Sequence, residues 1–262
     1  MKKLIVIKIG GSLIADKNKV YKINHQAVNA VVTQLAEFWQ KQNNYQLIIA
    51  NGAGSFGHYT VLTYKLHKLK LSLTKKQRQG VGVVHNKVAY LNNFLVAKLQ
   101  SKNIPIVSFD PLSFLHQTKT SVFFSKPLIT ALSMGLNISF YGDLILTENK
   151  QAVVYSTEKL IQIFIEEILN IKEFQVAKTI FVTKVAGVLD KQNQVVKVID
   201  HKNKNTQDIF VFNVENDVSG GMKTKLQTAI TLAGYGIRTY ICSADNLSRC
   251  LLDLKGEYTT VV

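Results

Sequence analysis

The sequence predicts a single α/β domain built on a mainly parallel sheet with helices on both faces. Short apolar runs of strand length alternate with stretches of helical periodicity almost from end to end, the pattern of the crossover units that build parallel sheets. No Pro- or Ser-rich linker, internal repeat or low-complexity tract interrupts the alternation along the 262 residues. A hydrophobic content of 47% supplies enough apolar surface for a large buried core.

Each element has its own signal. KLIVIKI, Lys3–Ile9, is an apolar strand. From Asn24 onward Val28, Val31, Val32, Leu35 and Trp39 recur on one helical face. QLIIA, Gln46–Ala50, is the next strand. A long helix from about Thr74 carries Val84, Val88, Leu91, Leu95 and Leu99 on one stripe. Ile104–Phe109 is a strand, and Ser125 with Pro127 opens a helix through Leu132, since Ser caps and Pro suits the first turn. Asn137–Asp143 is a strand ending in a sharp turn. Leu144–Tyr155 is a hairpin turning at ENKQ. Ser156 begins a helix with Leu160, Ile163, Phe164 and Ile168 inward. Thr179–Val185 is a strand, with a hairpin around DKQNQ. Asp217–Ala233 is helical, Ile237–Cys242 a strand, and after a short helix YTTVV closes the chain.

Composition narrows the class. No apolar stretch approaches the roughly 18 residues of a membrane-spanning helix. The opening MKKLIVIKIGGS has a strand-length apolar part followed by glycines instead of a small-residue cleavage site. The expectation is a cytoplasmic protein without a membrane span. Cys242 and Cys250 are the only cysteines, with neither metal-ligand spacing nor the density of a disulfide framework, and are expected to be buried or idle thiols. Lys and Arg number 32 against 17 Asp and Glu, a net charge of +15. Such a field attracts anions, from nucleic acid to phosphorylated small molecules. The lysines are scattered, and the densest basic stretch, Lys65–Gln79, is expected to be a solvated face. A nucleic-acid partner is not expected.

Ligands of parallel α/β sheets gather at the carboxyl ends of the strands. Four strand ends or connections carry unusual residues: KIGGS (Lys8–Ser12), NGAGSFGH (Asn51–His58), YGD (Tyr141–Asp143) and NDVSGGMKTK (Asn216–Lys225). Glycines there let backbone N–H groups approach an anion with no side chain in the way, and a following helix adds its positive end. Phosphate is the natural guest. The Walker spacing is absent. GAGSFG fits the loose dinucleotide pattern, but the acidic residue that should follow about 20 positions later falls in a basic segment.

In combination, KIGGS at the first strand, the glycine turn after the second, and DVSGGMKTK late in the chain resemble the amino acid kinase superfamily. GSFGH, with KIGGSLIADK, YGD and NDVSGGM, is similar to its isopentenyl phosphate kinase branch. The resemblance runs from residue 3 to the end of the sequence. It implies a three-layer α/β/α sandwich on a mainly parallel sheet of about eight strands. It divides residues 1–262 into an acceptor-binding lobe to residue 175 and a nucleotide-binding lobe from residue 176. It implies transfer of the ATP γ-phosphoryl group to a phosphorylated acceptor, isopentenyl phosphate giving isopentenyl diphosphate. Mg²⁺ would be held mainly by the nucleotide phosphates, with no side chain assigned to metal, and the assembly would be a homodimer.

The same resemblance gives residues their roles. Phosphoryl transfer needs charge neutralisation and in-line placement more than covalent chemistry. Lys8, inside an apolar run and ahead of Gly10 and Gly11, is expected to bridge donor and acceptor phosphates, and Lys17 to stabilise the transition state. Gly10, Gly11 and Ser12 offer N–H groups to ATP, with Gly54, Gly220, Gly221 and Lys225 at its phosphates and Lys225 also catalytic. Gly52, Ala53, Gly142 and Asp143 are expected on the acceptor side. His58, at the lip of the second cradle, is expected to donate a hydrogen bond to the acceptor phosphate, more strongly when protonated. His25, His67, His85, His116 and His201 are expected to be structural.

Three departures from the family pattern stand out. Ala53 replaces a usual glycine, so the loop must accept ordinary backbone angles there. YSTEK, Tyr155–Lys159, stands where relatives have an acidic pair, so Glu158 is expected to replace the aspartate that orients the two lysines. TKVAG, Thr183–Gly187, lacks both carboxylates of the family turn; Lys184 is expected to reach ATP phosphate or stack near the base, the alternative being weakened nucleotide binding. Two other functions stay open: a kinase of another small phosphonate or phosphate such as fosfomycin, and a catalytically weak relative that binds an anion or nucleic acid.

Overall fold

Successive side chains of a strand point to opposite faces, and in the first strand both faces are buried. Leu4 and Val6 join one core cluster, while Ile5, Ile7 and Ile9 join another. A strand apolar on both sides belongs in the middle of a covered parallel sheet. The computed structural model, which describes residues 1–16, 19–42, 44–68, 73–117, 122–124, 126–148, 152–203 and 221–262, places it there.

In chain order the described strands are β1 (Lys2–Ile9), β2 (Tyr45–Asn51), β3 (Ile106–Ser108), β4 (Leu115–Gln117), β5 (Val122–Phe124), β6 (Asn137–Tyr141), β7 (Asp143–Leu146), β8 (Ala152–Tyr155), β9 (Phe174–Thr183), β10 (Val198–Ile199), β11 (Thr239–Ser243) and β12 (Tyr258–Val261). The helices are α1 (Gly11–Ile14), α2 (His25–Lys41), α3 (Gly54–Thr63), α4 (Lys75–Gln100), α5 (Pro111–Phe114), α6 (Lys126–Ser133), α7 (Thr157–Ile168), α8 (Gly221–Gly234) and α9 (Leu247–Leu251). Eight strands form one sheet in the order β10-β12-β11-β9-β1-β2-β6-β3. All its pairings are parallel except β11 with β12. Two small antiparallel hairpins, β4-β5 and β7-β8, stand apart from it.

Buried faces of α6, α7 and α8 cover one side of the sheet, and those of α2, α4 and α9 the other. This is the expected three-layer sandwich. Local signals explain where helices start. Asn24 caps α2 by accepting from the Ala27 N–H. Thr74 and Gln77 form a reciprocal capping box at α4. Ser156 caps α7 through the Lys159 N–H.

Some boundaries differ from the sequence reading, for physical reasons. Strand β9 starts at Phe174, five residues before Thr179. The charge that hid this extension, Lys178, is buried and donates to the Cys250 and Leu251 carbonyls and to Asp253, closing the end of α9. Strand β3 pairs only over Ile106–Ser108 at the sheet edge, since Pro105 has no N–H to give. The β4-β5 hairpin was not foreseen. Cys242 and Cys250 are buried free thiols, as expected. Ser125 and residues 217–220 of the last helix reading lie outside the described residues. No described helix is long and apolar enough to cross a membrane.

Candidate functional site

Parallel pairing brings the first two glycine turns together. Lys8 stands opposite Ala50, and Ile9 opposite Asn51, so KIGGS and NGAGS leave the sheet side by side at its carboxyl edge. The Gly10 N–H donates to the Val182 carbonyl at 2.8 Å, and the Gly52 N–H to the Ile9 carbonyl at 2.9 Å. A Cβ on Gly11 would lie 2.3 Å from the Gly54 nitrogen and 2.7 Å from the Gly52 carbonyl carbon. The two turns touch backbone to backbone. Gly54 takes the left-handed φ of +52°, which a side chain disfavours. Ala53 sits at φ −72°, ψ −25°, the ordinary angles its methyl demands.

Strand alternation also places Lys8. It shares the face of Leu4 and Val6, the side covered by α7, and it is almost fully buried. There its ammonium meets Glu158, in the first turn of α7, at 2.8 Å. Lys225, in the first turns of α8, approaches the same Glu158 oxygen at 3.6 Å and donates to the Gly221 carbonyl at 2.8 Å. Burial alone would raise the Glu158 carboxyl, but the charges of Lys8 and Lys225 outweigh it and hold the group down at about 2. The longer acid therefore spans both lysines.

One carboxylate facing a buried and a partly buried ammonium group leaves an excess of positive charge beside bare backbone. A phosphate fits such a place, since buried charge needs a counter-charge. The Ser55 hydroxyl, buried in the first turn of α3, has no hydrogen-bond partner among the described residues; it too suits an anion. The arrangement can neutralise phosphoryl oxygens, and Glu158 is already committed to the lysines, so a magnesium ion would depend on the phosphates themselves.

Of the other expected site residues, Ser12 is half-buried in α1, and His58 and Lys184 are exposed, on α3 and just past β9. Gly142 packs tightly on α7: a Cβ there would lie 2.9 Å from the Thr157 hydroxyl. Thr157 in turn donates to the Asn51 carbonyl at 2.9 Å, stitching β2 to the helix that carries Glu158. Lys17 and Gly220 lie outside the described residues.

Asp143 stands at the end of the turn after β6 with its side chain fully buried, one oxygen 2.7 Å from His85 Nδ1 and the other accepting from the Leu144 N–H. Sequence reading set His85 aside as an ordinary structural histidine and missed Asp110, 3.0 Å from His85 Nε2. Nothing local could have paired residues so far apart in the chain.

Back-to-back glycine turns over paired lysines make a phosphate-handling α/β/α sandwich. The chain belongs to the amino acid kinase family, whose sequence model matches residues 3–243. It is 28% identical to the isopentenyl phosphate kinase of Methanocaldococcus jannaschii over 233 residues, 85% of each chain. It is 25% identical to that of Methanothermobacter thermautotrophicus over 263 aligned positions, 95% of each chain. In fold it superposes on an isopentenyl phosphate kinase crystal structure with a TM-score of 0.77, at 23% identity and covering 98% of this chain and 99% of that one.

Proposed function

We propose that this protein transfers the γ-phosphoryl group of ATP to isopentenyl phosphate, forming isopentenyl diphosphate. The observation that carries the reading is the Lys8–Glu158–Lys225 cluster beneath two touching glycine turns. Relatives bearing the name isopentenyl phosphate kinase match it over most of their length. In this reading Lys8 contacts the transferred phosphoryl group. Gly10, Gly11, Ser12, Gly54, Gly220, Gly221 and Lys225 hold ATP with Lys184 nearby, Lys17 adds charge, and Gly52, Ala53 and His58 hold the acceptor phosphate, with Gly142 and Asp143 on the acceptor side. Mg²⁺, carried by the nucleotide phosphates, would offset charge between them. A cytoplasmic homodimer of two-lobed subunits, with the acceptor in the first lobe, completes the proposal.

A buried apolar cluster packed beside the second turn favours a prenyl acceptor over fosfomycin. Leu66, Val84, Val88, Tyr141 and Leu144 form a cluster of their own, packed against Ala53 of the second turn. A five-carbon tail gains from such surroundings at about 25 cal/mol per Å² removed from water; a small polar epoxide gains little. The test is acceptor-dependent ADP formation from MgATP with isopentenyl phosphate, dimethylallyl phosphate, fosfomycin, UMP or acetylglutamate. Isopentenyl phosphate should give the highest kcat/KM, and preference for fosfomycin would overturn the reading.

His58→Ala should lower acceptor kcat/KM about ten- to a hundredfold, the loss of a hydrogen bond to a charged group at roughly 1.5–3 kcal/mol. ATP affinity measured calorimetrically without acceptor should hardly change. His58→Gln should recover part of the loss if a neutral donor suffices. Equal weakening of ATP and acceptor would remove His58 from the acceptor site.

A further inference from the structure

Three chain segments meet at His85. The imidazole sits on α4, with Nδ1 2.7 Å from an Asp143 oxygen at the start of β7 and Nε2 3.0 Å from an Asp110 oxygen between β3 and α5. Asp143 is fully buried, and both aspartates lie at carboxyl ends of sheet strands, the ligand side of the fold. The Tyr141 hydroxyl is hydrogen-bonded to Asp110 as well, and burial pushes it far above its usual range. Among the described residues Asp110 and Asp143 are the charged groups acting on His85.

An ionised carboxylate only accepts, and a neutral imidazole donates from one nitrogen alone. With a carboxylate at hydrogen-bond distance from each ring nitrogen, the imidazolium satisfies both at once; burial also raises the Asp143 carboxyl, so the alternative to be tested is a neutral ring accepting from a protonated Asp143. The three side chains are also close enough to hold a metal ion. Yet each ring nitrogen faces a different carboxylate directly, a geometry that protons fill and a single metal centre does not. The hydrogen bond with Asp143 raises the His85 proton affinity, burial opposing it less strongly.

We infer that His85 is a positioning residue for the acceptor side, an imidazolium clamp that ties α4 to the Gly142–Asp143 turn. The inference rests on the proposed kinase reading. Gly142 is pressed on Thr157, Thr157 holds the Asn51 carbonyl, and the next residue is Glu158, which pairs with both lysines. Tyr141 and Leu144, flanking the turn, belong to the buried apolar cluster beside Ala53. Loosening the clamp therefore loosens the wall beside the acceptor before it reaches the lysines.

The sign follows from the raised proton affinity. The clamp is complete below the ordinary histidine value of 6.5 and is lost as pH rises through the higher folded value. Acceptor kcat/KM, measured with whichever acceptor of the panel is turned over, should fall along that limb while the KM for MgATP stays level. His85→Gln keeps one donor but no charge. It should raise acceptor KM about tenfold at low pH and abolish the limb. Asp110→Asn preserves the Leu112 N–H cap that Asp110 accepts and removes one of two charges holding the proton, so the limb should move to lower pH.

Nitrogen NMR of the His85 ring in the ligand-free protein with EDTA present, assigned by loss of its signal in His85→Gln, reads the clamp without any turnover. It should report an imidazolium persisting above pH 6.5 in the wild type and a lower transition in Asp110→Asn. A transition at or below 6.5, an unmoved transition in Asp110→Asn, or a His85→Gln enzyme with the wild-type limb would each overturn the clamp. Failure of isopentenyl phosphate in the panel alone would overturn the acceptor assignment and leave these readouts to decide the clamp.

Discussion

Lys8→Ala is expected to lower kcat by about 10²–10³ while the protein stays folded, since one electrostatic contact to a transition state is commonly worth ~2.7–4 kcal/mol. The fold should survive because Glu158 keeps its second cation, Lys225, and because truncation to Ala introduces no charge into the core. Among the described residues Lys8 pairs with the Glu158 carboxylate alone in a nearly closed site, so its ammonium can serve a second anion without being pulled from its place. Steady-state kinetics with saturating MgATP, beside a circular dichroism melt, would check this. A variant that keeps more than half of the wild-type turnover would take Lys8 out of the chemistry.

Glu158→Gln should show the largest loss of stability of any single isosteric change at the site. Removing one member of a buried ion pair commonly costs about 3–5 kcal/mol, because the partner is left buried and uncompensated; here two ammonium groups would be left. The deficit should shrink when MgATP or inorganic phosphate is added, as the anion replaces the lost carboxylate. Melting temperatures with and without these anions test the point, and a variant insensitive to them would mean that Glu158 is not their electrostatic stand-in. The acid limb has a defined sign. A carboxyl held at about 2 against an ordinary 4.5 contributes stability that is complete above 4.5 and is lost as pH falls through the folded value. The wild type should lose stability over that interval more steeply than Glu158→Gln.

Periodicity made most of the sandwich legible. Alternating or continuous apolar runs marked β1, β2 and β6, and a stripe repeating at helical spacing marked α2, α4 and α7, because burial on one or both faces leaves a direct trace in residue order. Glycine turns were legible for a different reason: bare backbone at a strand end has few other uses. Glu158 was reachable as a substitution within a recognised pattern. The clamp of Asp110, His85 and Asp143 was not, since its members lie on separate elements; YGD marked Asp143, but nothing in the order of residues paired it with His85 or Asp110. The β4-β5 hairpin was missed because three-residue strands are too short to show a period. Lys178 misled for the opposite reason, as a charge that is buried only because helix-end carbonyls and Asp253 receive it.

The contact between the two glycine turns bears on how this site can change over generations. Gly11 and Gly52 are so close that a methyl group on either would displace the other's main chain, although they belong to different strand–helix units. A drift event in one turn is thus viable only with a matching adjustment in its neighbour, and two simultaneous changes are rare. Selection for a new acceptor would find an easier route through the side chains of α3, α4 and β7 other than Gly54, His58, His85 and Asp143. A saturation library should therefore show the turns as two intolerant islands that fail together, and the surrounding helices as the ground where altered specificity is recovered.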